Sequence, residues 1–209
     1  MTVEPHRLAD GILLRPIVVD DIPAVARAYD RNRAHLAPWD PRREEEFFTE
    51  AGQDVRFRHL SAARRDGRGE RWVLVATGAA LDSAVADAPD TSESEPATAA
   101  AKFEIVGSVA LSAIELGPFR NARLGYWLDG AFAGRGLATA AVSRVCDIAA
   151  EHIGLHRIEA GTLLENTASQ RVLAKCGFTE FGVAPRYLHI NGAWRDHRMF
   201  QRILFDDEP

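Results

Sequence analysis

The stretch that most constrains this chain runs from Leu124 to Ala141, with the sequence LGYWLDGAFAGRGLATAA. An apolar segment typical of a strand ends at Asp129-Gly130, a loop carries Gly134-Arg135-Gly136, and Leu137 opens a helical pattern. Glycines allow positive φ and close backbone approach, and the free N–H groups and dipole of a helix N-terminus attract anions. The stretch therefore predicts a phosphate-binding turn between a strand and a helix.

The overall composition is that of a soluble globular protein, with 46% hydrophobic and 26% charged residues in a chain of 209. This length predicts a single domain spanning residues 1–209. No apolar run is long enough for a membrane span and the N-terminus lacks an apolar signal core, so we expect a cytoplasmic protein. Cys146 and Cys176 fall in helical patterns and are expected to be buried thiols, not a disulfide.

The segment 79–101 differs from the rest of the chain. It is rich in Ala, Asp, Ser, Thr, Glu and Pro, has no aromatic residue, and its acids account for the whole formal charge of −5. Such a segment cannot bury enough apolar surface to offset its ordering entropy, so it is predicted to be a mobile acidic insertion within a hairpin. The remainder is neutral, which argues against a nucleic-acid-binding surface.

Hydrophobic periodicity predicts an α/β chain with a mixed sheet. Strand patterns alternate irregularly with helical ones, and three strands in the middle are joined by hairpin connections. The predicted strands are 11–18, 71–77, 104–114, 123–129, 156–163, 178–182 with an extension at 187–190, and 194–204; the predicted helices are 22–36, 44–65, 137–153 and 166–176.

The glycine stretch is compared with three known kinds of phosphate-binding loop. A P-loop requires GxxxxGK[ST], which the sequence lacks. A dinucleotide fingerprint requires GxGxxG early in the fold, but here Thr139 stands in the third glycine position and the loop comes late. The third is a turn for the pyrophosphate of coenzyme A, formed by Gly136-Leu137-Ala138 at the helix start.

From Leu8 to Leu204 the chain resembles the GNAT acyl-CoA N-acyltransferase superfamily, and within it the ribosomal-protein N-terminal acetyltransferases of the RimJ/RimL type. The superfamily's loop has the form [Q/R]-x-x-G-x-[G/A]; Gly136-Leu137-Ala138 fills its second half, whereas Ala133 departs from its first position. The other stretches that carry the resemblance are LRPIVVDDIPAV, Trp39, RIEAGTLLENTASQRVLAKCGF and RYLHINGAWRDHRMFQRIL.

The resemblance implies a GNAT-type α/β fold, in which a mixed, mostly antiparallel central sheet is flanked by about four helices. It also implies acetyl-CoA as donor and no metal. The backbone of Trp127 and Leu128 is expected to hold the pantetheine arm. Asn166 is expected to contact the same arm or simply to cap its helix. The residues expected at the pyrophosphate are Gly134, Arg135, Gly136, Ala138 and Thr139.

Acetyl transfer requires a neutral amine, a polarised thioester and a proton for the departing thiolate. An α-amino group has a pKa near 8, so it needs little help from a base. The N–H of Leu128 is the expected oxyanion donor. Many superfamily members carry a tyrosine acid where this chain has Leu173, so the resemblance moves that role to Ser169, with a packing serine as the alternative.

The general base is expected to be Glu159, on a predicted strand beside the cleft, with Glu115, Asp196 and His197 as alternatives. A covalent acyl-cysteine is disfavoured because neither cysteine has a paired base. No cluster of residues has metal-ligand spacing.

The acceptor stays open at the sequence level. The leading hypothesis is a protein N-terminus, as in the ribosomal-protein enzymes; the alternatives are a small-molecule amine or antibiotic, and a CoA-binding sensor without turnover. Neither nucleic acid nor membrane is an expected partner, and both a monomer and a homodimer are compatible with the sequence.

Overall fold

The computed structural model describes residues 4–78, 80–81 and 103–206. The insertion predicted at 79–101 lies outside these residues, apart from Ala80 and Leu81. The strands are β1 (His6–Ala9), β2 (Ile12–Pro16), β3 (Gly69–Thr77), β4 (Phe103–Glu115), β5 (Asn121–Leu128), β6 (Arg157–Leu163), β7 (Thr179–Ile190) and β8 (Ala193–Ile203). The α-helices are α1 (Ile22–Arg31), α2 (Arg33–Leu36), α3 (Glu50–Arg65), α4 (Leu137–Ile148) and α5 (Thr167–Lys175).

The strands form one 8-stranded sheet in the order β1-β2-β3-β4-β5-β6-β8-β7. Every neighbouring pair is antiparallel except β5 and β6, which are parallel. This confirms the predicted mixed, mostly antiparallel sheet. The described residues contain five α-helices, close to the expected count of about four.

Each face of the sheet is covered by its own apolar core. On one face, called here the α4 face, alternate residues of the central strands pack against Val142 and Val145 of α4. On the opposite α1 face, Val73 and Ile105 pack against Ala28 and Tyr29 of α1. Period-2 alternation along each strand therefore decides which side chains reach which face.

The structure departs from the predicted elements in several places, one of which is the helix predicted at 22–36: it is divided at Asn32 into α1 and α2. A short first strand, β1, precedes the predicted one and turns back at Asp10-Gly11, where Gly11 has φ 67°. The predicted helix 44–65 is divided, because Thr49 is extended and its side chain caps α3 by accepting from the Gly52 N–H at 3.1 Å. The helix after the glycine loop ends in a π-helical turn, Ala149–Ile153.

Candidate functional site

The parallel strands β5 and β6 separate after only three residue pairs. Their register ends at Arg123 opposite Glu159. Beyond that pair β5 stays bonded to β4 as far as Leu128, and β6 stays bonded to β8 as far as Leu163. The two strands consequently leave a V-shaped opening in the middle of the sheet.

The backbone of β5 presents every second residue to this opening. The Asp129 N–H donates to the Val106 oxygen at 2.8 Å, which fixes the alternation of the antiparallel β4–β5 ladder. The N–H and C=O groups of Leu124, Tyr126 and Leu128 therefore point into the opening. Those of Trp127 point to β4, contrary to the prediction; its side chain lies on the α1 face, against Tyr29 at a ring-centroid distance of 4.8 Å.

The glycine loop lies directly beyond the end of β5. Gly134 and Gly136 both have φ 78°, a left-handed conformation that L side chains rarely adopt. Ala140 N–H bonds to the Gly136 oxygen at 3.0 Å, so the N–H groups of residues 137–139 precede the first bond of α4. The Arg135 guanidinium lies 5.2 Å from the Phe132 ring. The loop thus has the backbone geometry of an anion-binding helix start.

A polar clamp fixes the turn that leads into this loop. Asp129, which is buried, accepts from Arg31 Nε at 2.7 Å and from the Ala131 N–H at 3.0 Å. The buried Asn32 accepts from the Gly130 N–H at 3.0 Å. The C-terminal end of α1 therefore sets the position of the glycine loop.

Replacing Arg31 by methionine is expected to lower the free energy of unfolding by about 3 kcal/mol, because it leaves the buried Asp129 carboxylate without its cation. Urea denaturation measures this loss. Arg27→Met is the matched control, since Arg27 is 52% exposed where it meets Glu104, and the expected loss is below about 1 kcal/mol. If Arg31→Met lowered the free energy of unfolding no more than Arg27→Met, the contact between Arg31 and Asp129 would add no more stability than an exposed ion pair.

Ser169 lies in the first turn of α5 and contacts the tyrosine of β5. Asn166 Oδ1 accepts from the Ser169 N–H at 3.0 Å, which confirms that Asn166 caps this helix. The Ser169 hydroxyl is 2.7 Å from the Tyr126 hydroxyl. Burial raises the pKa of Tyr126 to about 12, opposed by its bond to Ser169, so its hydroxyl keeps its proton at neutral pH. Sequence reasoning missed this pairing.

The α1 face is bare where the opening lies. Ala110 of β4 pairs with Gly125 of β5, and continuing the β5–β6 register places Gly125 level with Gly161 of β6. Apart from its two chain neighbours, no atom of the described residues lies within 4 Å of the position that a Cβ would take at Gly125. We call Ala110, Gly125 and Gly161 the bare row, because none of them has a side chain beyond Cβ. A Cβ at Gly161 would lie 3.3 Å from Met199 Sδ, so the path from the α1 face into the opening runs over Gly125.

Two of the four candidate bases flank the bare row. Glu159 lies on the α1 face of β6, two residues before Gly161, and accepts from Arg157 at 2.9 Å. His197 is buried beside Gly161, and its Nδ1 lies 3.0 Å from the Arg195 carbonyl oxygen, to which an Nδ1–H group donates. In the neutral tautomer that makes this bond, Nε2 is the acceptor.

The other two candidate bases are placed less favourably. Asp196 already accepts from the Arg186 N–H at 2.8 Å. Glu115 pairs with Asn121 at the far end of β4, away from the opening. Glu159 and His197 therefore lie beside the bare row, whereas Glu115 lies away from it and Asp196 is bonded to the Arg186 N–H.

Both cysteines are free and buried. Burial raises the pKa of the Cys146 thiol to about 12, and burial likewise raises the pKa of Cys176. Because the thiolate is the nucleophilic form, neither side chain is suited to forming an acyl-enzyme.

Comparison with known proteins matches residues 12–179 to the family described as the acetyltransferase (GNAT) domain. The chain belongs to the GNAT acetyltransferase family. The sequence resemblance is thereby confirmed, and the enzyme class of this GNAT chain is N-acetyltransferase. None of the helices in its described parts is long and apolar enough to cross a membrane.

Individual GNAT relatives agree with this assignment. The probable N-acetyltransferase YjcK of Bacillus subtilis (strain 168) is 43% identical over 104 residues, which are 50% of this chain and 58% of that protein. The crystal structure of the ribosomal-protein-S5-alanine acetyltransferase from Vibrio fischeri has a TM-score of 0.83 and 31% identity, covering 99% of this chain and 100% of that one. Mycobacterium smegmatis RimJ in complex with CoA-disulfide has a TM-score of 0.79 and 31% identity, covering 97% and 87% of the two chains.

Proposed function

We propose that this GNAT chain transfers the acetyl group of acetyl-CoA to the N-terminal α-amino group of a protein, of the ribosomal-protein type. The observation that carries the proposal is the opening between β5 and β6, which has the glycine loop at one end and the bare row on its α1 face. A donor entering from the loop and an amine entering from the α1 face would meet there.

The donor would bind as an added strand. Amides of the pantetheine arm pair with the groups that Leu124, Tyr126 and Leu128 direct into the opening, and the Leu128 N–H polarises the thioester carbonyl. The glycine loop and the first turn of α4 hold the pyrophosphate, with Arg135 adding a charged contact. Asn166 has its Oδ1 committed to the helix cap, so it would contact the arm through Nδ2. The CoA-containing structure of M. smegmatis RimJ supports this donor.

The chemistry then requires two proton transfers. A neutral amine attacks the thioester carbon, and its excess proton passes to Glu159 through a water molecule. The carbon–sulfur bond breaks, and the departing thiolate takes a proton from the Ser169 hydroxyl, which regains one from water, while Glu159 releases its proton to water. The protonated Tyr126 hydroxyl lies 2.7 Å from the Ser169 hydroxyl and 3.1 Å from the Ser169 carbonyl oxygen, and either hydroxyl can donate to the other. Tyr126 would support the step in the arrangement in which it donates to Ser169 Oγ, because the serine's own hydrogen is then directed elsewhere. His197 Nε2 is the second candidate for the base, favoured by its position beside Gly161.

A protein acceptor is supported by the relatives. The Vibrio fischeri enzyme that resembles this chain over its full length is a ribosomal-protein-S5-alanine acetyltransferase. An α-amino acceptor also suits the site, because its pKa near 8 leaves roughly a tenth of it neutral at pH 7 without a strong base.

A peptide panel tests the proposal. Thiol release from acetyl-CoA is expected with peptides that begin with Ala or Ser, and none is expected when the same peptides are N-terminally blocked but keep an internal lysine. Calorimetry with acetyl-CoA is expected to show binding. Turnover on aminoglycosides alone would reject the protein acceptor, and binding without turnover on any amine would indicate a sensor.

A further inference from the structure

Two arginines line a narrow cleft between α1, α3 and β3, whose free space of about 20 Å³ is enough for one group the size of a water molecule or a carboxylate oxygen. They are Arg56 of α3 and Arg71 of β3, and Tyr29 of α1 lies between them on the wall. Arg56 Nη1 and Arg71 Nε are buried and have no hydrogen-bond partner among the described residues. Within the same described ranges, neither side chain forms an ion pair with an acid. Among the described residues, the two guanidinium groups of the cleft therefore have no carboxylate as counter-ion.

Such an arrangement is costly unless something compensates it. Desolvation lowers the pKa of Arg71, and the neighbouring positive charges of Arg56 and Arg43 lower it further, while Tyr29 opposes them. Arg56 is held by aromatic rings, 5.3 Å from the Tyr29 centroid and 5.1 Å from that of Phe47. These contacts fix the guanidinium but satisfy none of its N–H donors, and buried charges in proteins are normally paired. An anion would supply the missing acceptors.

The cleft adjoins the path to the acetyl group. Arg71 pairs with Ala110 and thus stands at the β3 end of the bare row. Its Nη1 reaches toward β4 and donates to the Ser108 hydroxyl at 3.3 Å. Two strand spacings separate Arg71 from Gly125, so the cleft lies roughly 10 Å from the opening. An extended peptide covers that distance within about three residues.

We propose that Arg56 and Arg71 form an anion subsite for a carboxylate of the acceptor. The proposal rests on the proposed function and deepens it: with its α-amino group at the bare row, the acceptor peptide carries an Asp or Glu side chain at its second or third residue. A guanidinium pair recognises a carboxylate by charge-assisted hydrogen bonds that glutamine cannot match.

The test compares peptides that differ only by Glu or Gln at residue three, and a second pair that differs at residue two. The wild-type chain is expected to prefer at least one acidic member by about tenfold or more in kcat/KM. In the Arg56→Gln and Arg71→Gln variants, the ratio of kcat/KM for the acidic peptide to kcat/KM for the neutral peptide should fall toward one. Arg65→Gln, an exposed arginine of the same helix, is the matched control and should keep it. Equal wild-type rates on acidic and neutral peptides would overturn the subsite.

A second measurement separates the subsite from the acceptor class. Glutarate should raise the Tm of the wild-type chain more than NaCl at equal ionic strength, and the Arg56→Gln/Arg71→Gln variant should lack this difference. A glutarate effect without turnover on any peptide would leave the subsite standing and reject the protein acceptor. Identical shifts in the wild type and the double variant would reject the subsite itself.

Discussion

Replacing Ser169 by alanine is expected to lower kcat about 10²-fold or more, because the departing thiolate loses its proton donor. The Asn166 cap survives this change, since it binds the Ser169 backbone N–H and not the hydroxyl. Stability and the affinity for CoA should therefore stay close to those of the wild type. Single-turnover kinetics with a reactive peptide, together with calorimetry, measure the three quantities separately.

Two further variants make this result specific. Tyr126→Phe keeps the ring but removes the hydroxyl at 2.7 Å, and it should cause a smaller loss than Ser169→Ala if the tyrosine acts through the serine. Ser61→Ala, a serine of α3 on the other face of the sheet, should have no effect. An unchanged kcat in Ser169→Ala would show that this serine only packs.

Replacing Gly125 by valine is expected to reduce kcat/KM for the acceptor about 10²-fold, because a branched side chain would stand in the path of the amine. The protein should fold normally, since the new Cβ meets no atom within 4 Å and valine suits a strand. Affinity for acetyl-CoA should change little, because the Gly125 backbone faces β4. Steady-state kinetics and calorimetry measure the two effects.

Gly182→Val is the matched control for the bare row. Gly182 lies in β7, which is separated from β6 by β8, where it pairs with Met199. Among the described residues, no atom beyond its chain neighbours lies within 4 Å of its Cβ position. Its replacement should leave kcat/KM unchanged. Equal losses in the two variants would indicate a general effect on the sheet, and no loss at Gly125 would place the acceptor path elsewhere.

The backbone geometry of the glycine loop and the cap of α5 could be predicted from sequence, because their signals are local. Gly134 and Gly136 stand directly before a helical pattern, and Asn166 opens the next one, so spacing alone indicates a turn and a cap. The strand that precedes the loop is also recognisable from its apolar residues. The family match over residues 12–179 agrees with what these local signals indicated.

The remaining features depend on which strands are neighbours, and no local pattern contains that information. The direction of the Trp127 backbone follows from the β4–β5 register, so sequence reasoning placed it wrongly. The contact between Tyr126 and Ser169 joins residues 43 positions apart across the sheet and a helix. Arg56 and Arg71 look like ordinary surface arginines until the fold buries some of their atoms in one cleft.

The short seam between β5 and β6 has a consequence for local stability. Within the described residues, the strands β1 to β5 are joined to the strands β6 to β8 by the pairs from Asn121–Arg157 to Arg123–Glu159. The N–H groups of His156 and Arg157 add bonds to the Arg120 oxygen at the end of this seam. A donor lying in the opening would extend that seam and act as a non-peptide strand. Amide hydrogen exchange at Leu124, Tyr126 and Leu128 should then slow sharply on CoA binding. Under the proposed function, the stability of the contact between the two parts of the sheet would therefore increase with the concentration of acetyl-CoA.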